Sequence, residues 1–306
     1  MARRKVKNNY NLLDTFTFFT PGVRGCLWIF LWFLVGALVG NLISALALAV
    51  MNGMEGAMTY ATLIAYPFMF IPPMIYASMK SRMNSYFGVG YKMSNDHYAP
   101  LGGLFCALLV SVATLATTFL SDSITQLMPP MPEWLEDVLG NLTGGNVIID
   151  LICVSILAPF FEEWLCRGEI LRGLLNFEHK NKDGETVRGI KPVWAIVISS
   201  VFFAVIHANP WQAIPAFLLG CLFGYVYYKT GSIKLTMLMH CVNNTFAVIL
   251  SQSGALEGFD DWAEVLPTPL YVALILLSAA IVLYAVFKLK LITPQSEQGN
   301  CDRIEA

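Results

Sequence analysis

The feature that most constrains this chain is a run of 25 residues without a charged side chain, from Cys26 to Val50. A helix needs about 20 apolar residues to cross the hydrocarbon core of a bilayer. Polar sequence separates this run from the basic residues that precede it, whereas a removable signal peptide has its apolar core directly after its basic start. We therefore predict a retained transmembrane helix here.

Seven further apolar stretches raise the prediction to about eight transmembrane helices. Composition agrees, because 56% of the residues are hydrophobic and only 13% are charged, against about 25% charged in soluble domains. The predicted fold class is an all-α, polytopic membrane protein. The stretches are 59–79, 101–120, 147–161 with a charged continuation to 175, 192–207, 211–228, 233–251 and 268–287.

The basic residues test this span count. With eight spans, all 19 Lys and Arg residues fall on one side, while loops 51–58, 121–146, 208–210 and 252–267 hold nine acids and no Lys or Arg. Because Lys and Arg collect on the cytosolic side, we predict a multi-pass protein of the bacterial inner (cell) membrane with both termini cytosolic. The net charge of −2 and the lack of a basic stripe argue against nucleic acid as a partner.

This topology divides the chain into four parts. Residues 1–25 form a cytosolic N-terminal segment, in which 8–22 is predicted to lie at the membrane interface. Residues 26–145 hold helices 1–3 and an outer loop, 146–251 hold a core of helices 4–7, and 252–306 hold helix 8 and a cytosolic tail.

Ionisable residues within a span cost about 2.5–3.5 kcal/mol each on insertion scales, so they need a reason. In this chain the ionisable residues within spans are few, and they lie on only three of the predicted helices. Glu162, Glu163 and Arg167 lie on span four, His207 ends span five, and His240 lies on span seven.

Helix geometry separates their roles. Glu163 and Arg167, four residues apart, share a face and form a predicted ion pair, whereas Glu162 lies about 140° from Arg167 and stays free for a substrate. His240 and Asn244 also share a face.

A free carboxylate, a histidine and a His/Asn pair on three helices favour hydrolysis. Glu162 with His207 would activate a water as general base, and His240 with Asn244 would stabilise the resulting oxyanion. One conflict is visible: counted from Lys191, His207 lies about 24 Å along its span, near the outer face and away from Glu162.

Three motifs carry a family resemblance. EExxxR at 162–167, FxxxH at 203–207 and HxxxN at 240–244, in this order, resemble the motifs of the CPBP family, the CaaX proteases and bacteriocin-processing enzymes. The resemblance implies about eight helices around a cavity open to the cytosol and an intramembrane endopeptidase without a cofactor. It also implies a membrane-associated peptide substrate, prenylated or a precursor, and the roles given above for Glu162, His207, His240 and Asn244.

Other functions remain open at this point. Glu162, His207 and His240 would be an acceptable ligand set for zinc, which makes a zinc-dependent metalloprotease the alternative among enzymes. The chain would otherwise be a non-catalytic immunity or scaffold protein of the same fold, or a transporter with a polar midplane site. The sequence gives no oligomeric state.

Overall fold

The protein is helical along nearly all of its described length. A computed structural model describes residues 12–54, 56–86, 89–143, 146–253, 262–294 and 303–305; predictions for residues 1–11 and for the remaining parts lie outside it. The helices are α1 (Val23–Val50), α2 (Ala57–Asn84), α3 (Gly103–Thr125), α4 (Glu133–Thr143), α5 (147–176), α6 (Pro192–Val205), α7 (Pro210–Thr230), α8 (Ile233–Ser253) and α9 (Thr268–Leu289).

The remaining elements are short. Leu12–Phe16 forms a 3₁₀ helix and Trp262–Val265 a single helical turn. Two antiparallel pairs of strands join β1 (Val89–Tyr91) to β4 (Arg303–Glu305) and β2 (Glu178–Lys180) to β3 (Thr186–Arg188).

The eight predicted spans correspond to α1, α2, α3 and α5 to α9. By length and composition, five of them are long and apolar enough to cross a membrane: α1, α2, α3, α8 and α9. α6 has only 14 residues, and α5 carries several buried charges. The all-α membrane fold is confirmed, while the count of eight spans stays a prediction.

One side of the helix bundle is held together by hydrogen bonds, and we call it the base. It contains the first residues of α1, α3, α6 and α8 and the last residues of α2, α5, α7 and α9. The backbone N–H of His97 donates to Thr230 at 2.8 Å, and that of Ile190 donates to Leu174 at 2.9 Å. We call the opposite side the rim. It contains the first residues of α2, α5 and α7 and loops 126–132 and 206–209.

The described part of the N-terminal segment packs against the helices, and its location at the membrane interface stays a prediction. Phe16 and Phe19 are buried in the core. The buried guanidinium of Arg172 on α5 donates to the carbonyls of both, at 3.0 and 2.7 Å, and also to Tyr91 of β1. A single buried Arg thus fixes two chain segments across the base.

Helices α1 and α2 pack closely because α1 presents glycine at the crossing. A Cβ atom at Gly36 would overlap the backbone carbonyl of Met69, and one at Gly40 would press on the Met69 side chain. Small residues let membrane helices approach closely, which increases their van der Waals contact.

We expect Gly36→Ala to lower the free energy of unfolding by about 1–3 kcal/mol, because the added methyl group meets backbone that cannot move aside. Thermal unfolding of the purified protein in detergent measures this. Gly140→Ala on α4 is the control, because a Cβ there meets nothing within 4 Å. Equal melting temperatures for Gly36→Ala and the parent would contradict the close packing.

Candidate active site

A cavity of about 560 Å³ brings the predicted catalytic residues together. Its walls come from α2, α3 and α5 to α8, and they include Glu162, His207, His240 and Asn244. These residues are up to 82 positions apart in the chain. Glu162 and His207 line this one cavity, although His207 belongs to the rim loop 206–209 and Glu162 lies deeper, on α5.

Helix α5 presents Glu162 and Glu163 on a short α-helical segment between two wider turns. Segments Leu151–Leu157 and Trp164–Leu171 have the i→i+5 pattern of a π-helix, and Ala158–Glu163 lies between them. Pro159 explains the first wide turn, because it lacks an N–H and its ring would clash with the carbonyl four residues earlier in a regular helix. Wide turns of this kind are frequent at functional sites.

The wide turns leave backbone carbonyls for side chains on neighbouring helices. The Asn244 amide donates from Nδ2 to the carbonyl of Val154 at 2.7 Å, and the Ser199 hydroxyl donates to that of Cys166 at 2.7 Å. α5 is thereby tied to α8 and α6 by polar contacts as well as by packing.

Glu162 faces the cavity, as the helical geometry predicts. Its Oε1 accepts a hydrogen bond from the hydroxyl of Tyr66 on α2. Its Oε2 lies 3.9 Å from Nε2 of His240, too far for a hydrogen bond, and has no hydrogen-bond partner in the described part of the chain. Tyr66 is not among the predicted site residues, because a tyrosine in an apolar span carries no distinguishing signal in the sequence.

Glu163 points the other way and is fully buried. The predicted ion pair is present, with Arg167 Nη1 2.9 Å from Glu163 Oε1. The Arg167 guanidinium also lies 4.4 Å from the ring centre of Phe203 and 5.3 Å from that of Phe223, so cation–π attraction supports it. Its Nη2 donates to the carbonyl of Gly220 on α7 at 3.1 Å.

The Glu163 carboxylate also orients His240. The spacing of residues in the sequence did not predict this contact. His240 Nδ1 lies 3.1 Å from Glu163 Oε1. An ionised carboxylate only accepts hydrogen bonds, so Nδ1 carries the proton and Nε2 points toward Glu162. His240 therefore donates to an oxyanion only when its ring is doubly protonated.

Asn244 and Asn243 form a linked pair beside His240. Asn243 Nδ2 donates to Asn244 Oδ1 at 2.9 Å, and Thr118 on α3 donates to Asn243 Oδ1 at 2.8 Å. An amide nitrogen has two N–H groups, and Asn244 uses one of them on Val154. The second is a suitable donor for an oxyanion.

His207 does not contact Glu162 directly. Its Nδ1 lies 2.7 Å from the carbonyl of Phe203, which accepts its N–H. Among the described residues, no hydrogen bond or ion pair joins His207 to Glu162; the nearer imidazole is that of His240. A direct Glu162–His207 pair is thus absent, although both face the same space.

Comparisons with known proteins find a protease family and two bacterial relatives. Residues 144–246 match the Rce1-like type II CAAX prenyl endopeptidase family. UPF0177 protein YxdF of Lactococcus lactis is 25% identical over 185 residues, which cover 58% of this chain and 92% of that protein. The membrane-embedded CAAX protease MroQ of Staphylococcus aureus is 30% identical over 109 residues, 35% of this chain and 41% of MroQ. No solved structure gives a significant match.

The fold and the matched region together define a helical integral membrane protein with a protease-type core. The matches confirm the predicted resemblance to the CPBP family. The matched residues include α5 to most of α8, which carry Glu162, His207, His240 and Asn244.

We expect Arg167→Met to lower the free energy of unfolding by about 3–5 kcal/mol, because it leaves the Glu163 carboxylate buried without its cation. A double variant, Glu163→Leu with Arg167→Met, should be less destabilised, because it buries no lone charge. Lys234→Met is the control: it removes the exposed Lys234–Asp96 pair and should cost under about 1 kcal/mol. Unfolding in detergent compares the three, and additive losses in the double variant would contradict the ion pair.

Proposed function

We propose that this protein is an intramembrane endopeptidase that hydrolyses peptide bonds of membrane-associated peptides with a water activated by Glu162. The observation that carries this proposal is that Glu162 lines the cavity, and that its buried Oε2 has no hydrogen-bond partner among the described residues and lies 3.9 Å from the oriented imidazole of His240. The similarity to the CAAX protease MroQ supports the same activity.

The charges of the cluster support a doubly protonated His240. Glu162 and Glu163 lie on either side of its ring, and Arg167 supplies only one compensating charge. Because buried charges need opposite partners, an imidazolium balances the second carboxylate. Its Nε2–H is too far from Glu162 for a hydrogen bond, so it is available to a substrate oxygen.

The reaction then follows from these positions. Glu162 takes a proton from a water held between it and His207, and the water oxygen forms a bond to the peptide carbonyl carbon. The carbonyl oxygen becomes an oxyanion, which accepts hydrogen bonds from His240 Nε2 and the second N–H of Asn244. Collapse of this intermediate breaks the C–N bond, and Glu162 returns its proton to the leaving amine.

Tyr66 positions the general base. Its hydrogen bond fixes Oε1 of Glu162 and leaves Oε2 as the basic oxygen. A general base must lie within hydrogen-bond reach of the proton that it takes, so a fixed carboxylate has to hold its second oxygen toward the water. Tyr66 therefore acts through Glu162 and does not contact the reacting atoms.

We expect Glu162→Gln to lower the cleavage rate by at least about 100-fold, because an amide cannot take the proton of the water. Comparative proteomics of membrane-associated peptide termini, in cells carrying either form, would find termini that depend on Glu162. Glu185→Gln is the control, an exposed glutamate of the β2–β3 turn. Unchanged cleavage by Glu162→Gln would reject the mechanism, and the absence of any dependent terminus would favour a non-catalytic scaffold.

We propose that the reaction needs no zinc. Among the described residues, no three His, Cys, Asp or Glu side chains come close enough together to ligate one ion, so the set of Glu162, His207 and His240 does not fit zinc in this structure. No step above is assigned to a metal.

Incubation of the purified protein with excess EDTA or 1,10-phenanthroline should leave the cleavage rate within about twofold of the untreated rate, because hydrolysis runs on side chains alone. Elemental analysis of the same preparation supplies the control measurement. Loss of activity that returns on adding zinc, together with about one zinc per chain, would reinstate the metalloprotease alternative.

A further inference from the structure

The direction in which the catalytic cavity opens follows from where its lining residues lie on their helices. Glu162, Phe223 and His240 are the deepest, at 13 to 15 residues from the rim ends of α5, α7 and α8. That distance is about 20 Å along a helix. The other lining residues on these helices, such as Val154, Gln212 and Ser251, lie closer to the rim.

The rim side of the cavity continues into a second one. A cavity of about 600 Å³ shares Thr118, Ser121, Pro215 and Ala247 with the first. Its other walls include loop residues of the rim, among them Pro130. The two spaces form one path from the rim loops to Glu162.

The base side of the cavity is closed. The residues directly below Glu162 on α5, from Trp164 to Leu174, are all buried. Phe16 of the N-terminal segment packs edge-on against Trp164, with ring centres 5.2 Å apart, and Met93 covers Gly168. Arg172 holds this cover in place through its hydrogen bonds to Phe16 and Phe19.

The charges assign the two sides to the two faces of the membrane. Apart from Arg167 and Arg172 within α5, the Lys and Arg residues of the described part of the chain lie in segments that flank the base, whereas segments 121–143 and 262–267 on the rim side contain acids but no Lys or Arg. By the positive-inside rule the base is cytosolic. The cavity open to the cytosol, which the family resemblance implies, and the cytosolic termini therefore cannot both hold for this chain.

We propose that the catalytic cavity opens on the extracytosolic face, so that the substrate is an apolar peptide segment that enters from that face and is cleaved about 20 Å from the rim. This inference rests on the proposed peptidase function. Apolar side chains such as Ala216, Leu219 and Val248 line the approach to Glu162, and they suit a membrane-inserted segment. A tail presented from the cytosol would meet the closed base.

The test is the accessibility of single cysteines in intact cells to a membrane-impermeant maleimide. In a background with the seven native cysteines replaced, Leu127→Cys reports the rim and Lys182→Cys, in the β2–β3 turn, reports the base; both positions are exposed. We expect at least tenfold more labelling of Leu127→Cys from outside, and equal labelling of the two in denatured membranes. The reverse order would overturn the proposal.

A fusion to the full, unsubstituted chain covers the case in which the cysteine-free protein does not fold. A green fluorescent protein joined after the last residue should fluoresce, and alkaline phosphatase at the same place should be inactive, because the base is cytosolic. An active phosphatase fusion with a dark fluorescent one would overturn the proposal.

A third readout joins the orientation to catalysis. Ser251→Cys places a thiol on the cavity wall near the rim, and the impermeant reagent added outside should lower its cleavage rate at least tenfold relative to the same variant before reaction. Labelling of Ser251→Cys without inhibition would overturn the assigned substrate route. The labelling results test the orientation of the cavity and do not depend on whether Glu162→Gln retains activity. Failure of the peptidase proposal is therefore distinguishable from failure of the orientation proposal.

Discussion

The arrangement of the site depends on one buried carboxylate. Glu163 has no exposed surface and binds both Arg167 and His240. A carboxylate in a membrane protein interior is tolerated only with such partners. Because Arg167 also reaches Gly220, the need to satisfy this one charge fixes α5, α7 and α8 relative to one another. The same contacts turn Nε2 of His240 toward Glu162, so that stability and the geometry of the reactive face have a common origin.

The irregular turns of α5 have a complementary role. A regular helix satisfies its own carbonyls and offers nothing to its neighbours, whereas the two wide turns leave carbonyls that accept from Asn244, Ser199 and Arg172. Polar side chains on surrounding helices thereby find partners without water. Between these anchored turns, Ala158–Glu163 presents two consecutive glutamates, one to the cavity and one to the protein interior.

The molecule is also asymmetric along the helix axes. Its base is closed by buried aromatic and sulfur-containing side chains and by the Arg172 hydrogen bonds, while its rim surrounds two connected cavities. Among the described residues, the cavity beside Glu162 therefore continues toward the rim and is closed toward the base. The distribution of Lys and Arg in the sequence then relates this direction to a face of the membrane, which the family resemblance alone assigns differently.

The sequence by itself determined the helical membrane fold, the Glu163–Arg167 pair and four of the residues that line the cavity, because apolar run length, charge placement and spacing on one helix are local properties. Only the tertiary structure decided that Tyr66 holds Glu162, that Glu163 orients His240 and that His207 stands apart from Glu162. These contacts depend on the packing of separate helices and on the wide turns of α5. The wide turns change the directions of side chains, so a regular helical period does not predict those directions.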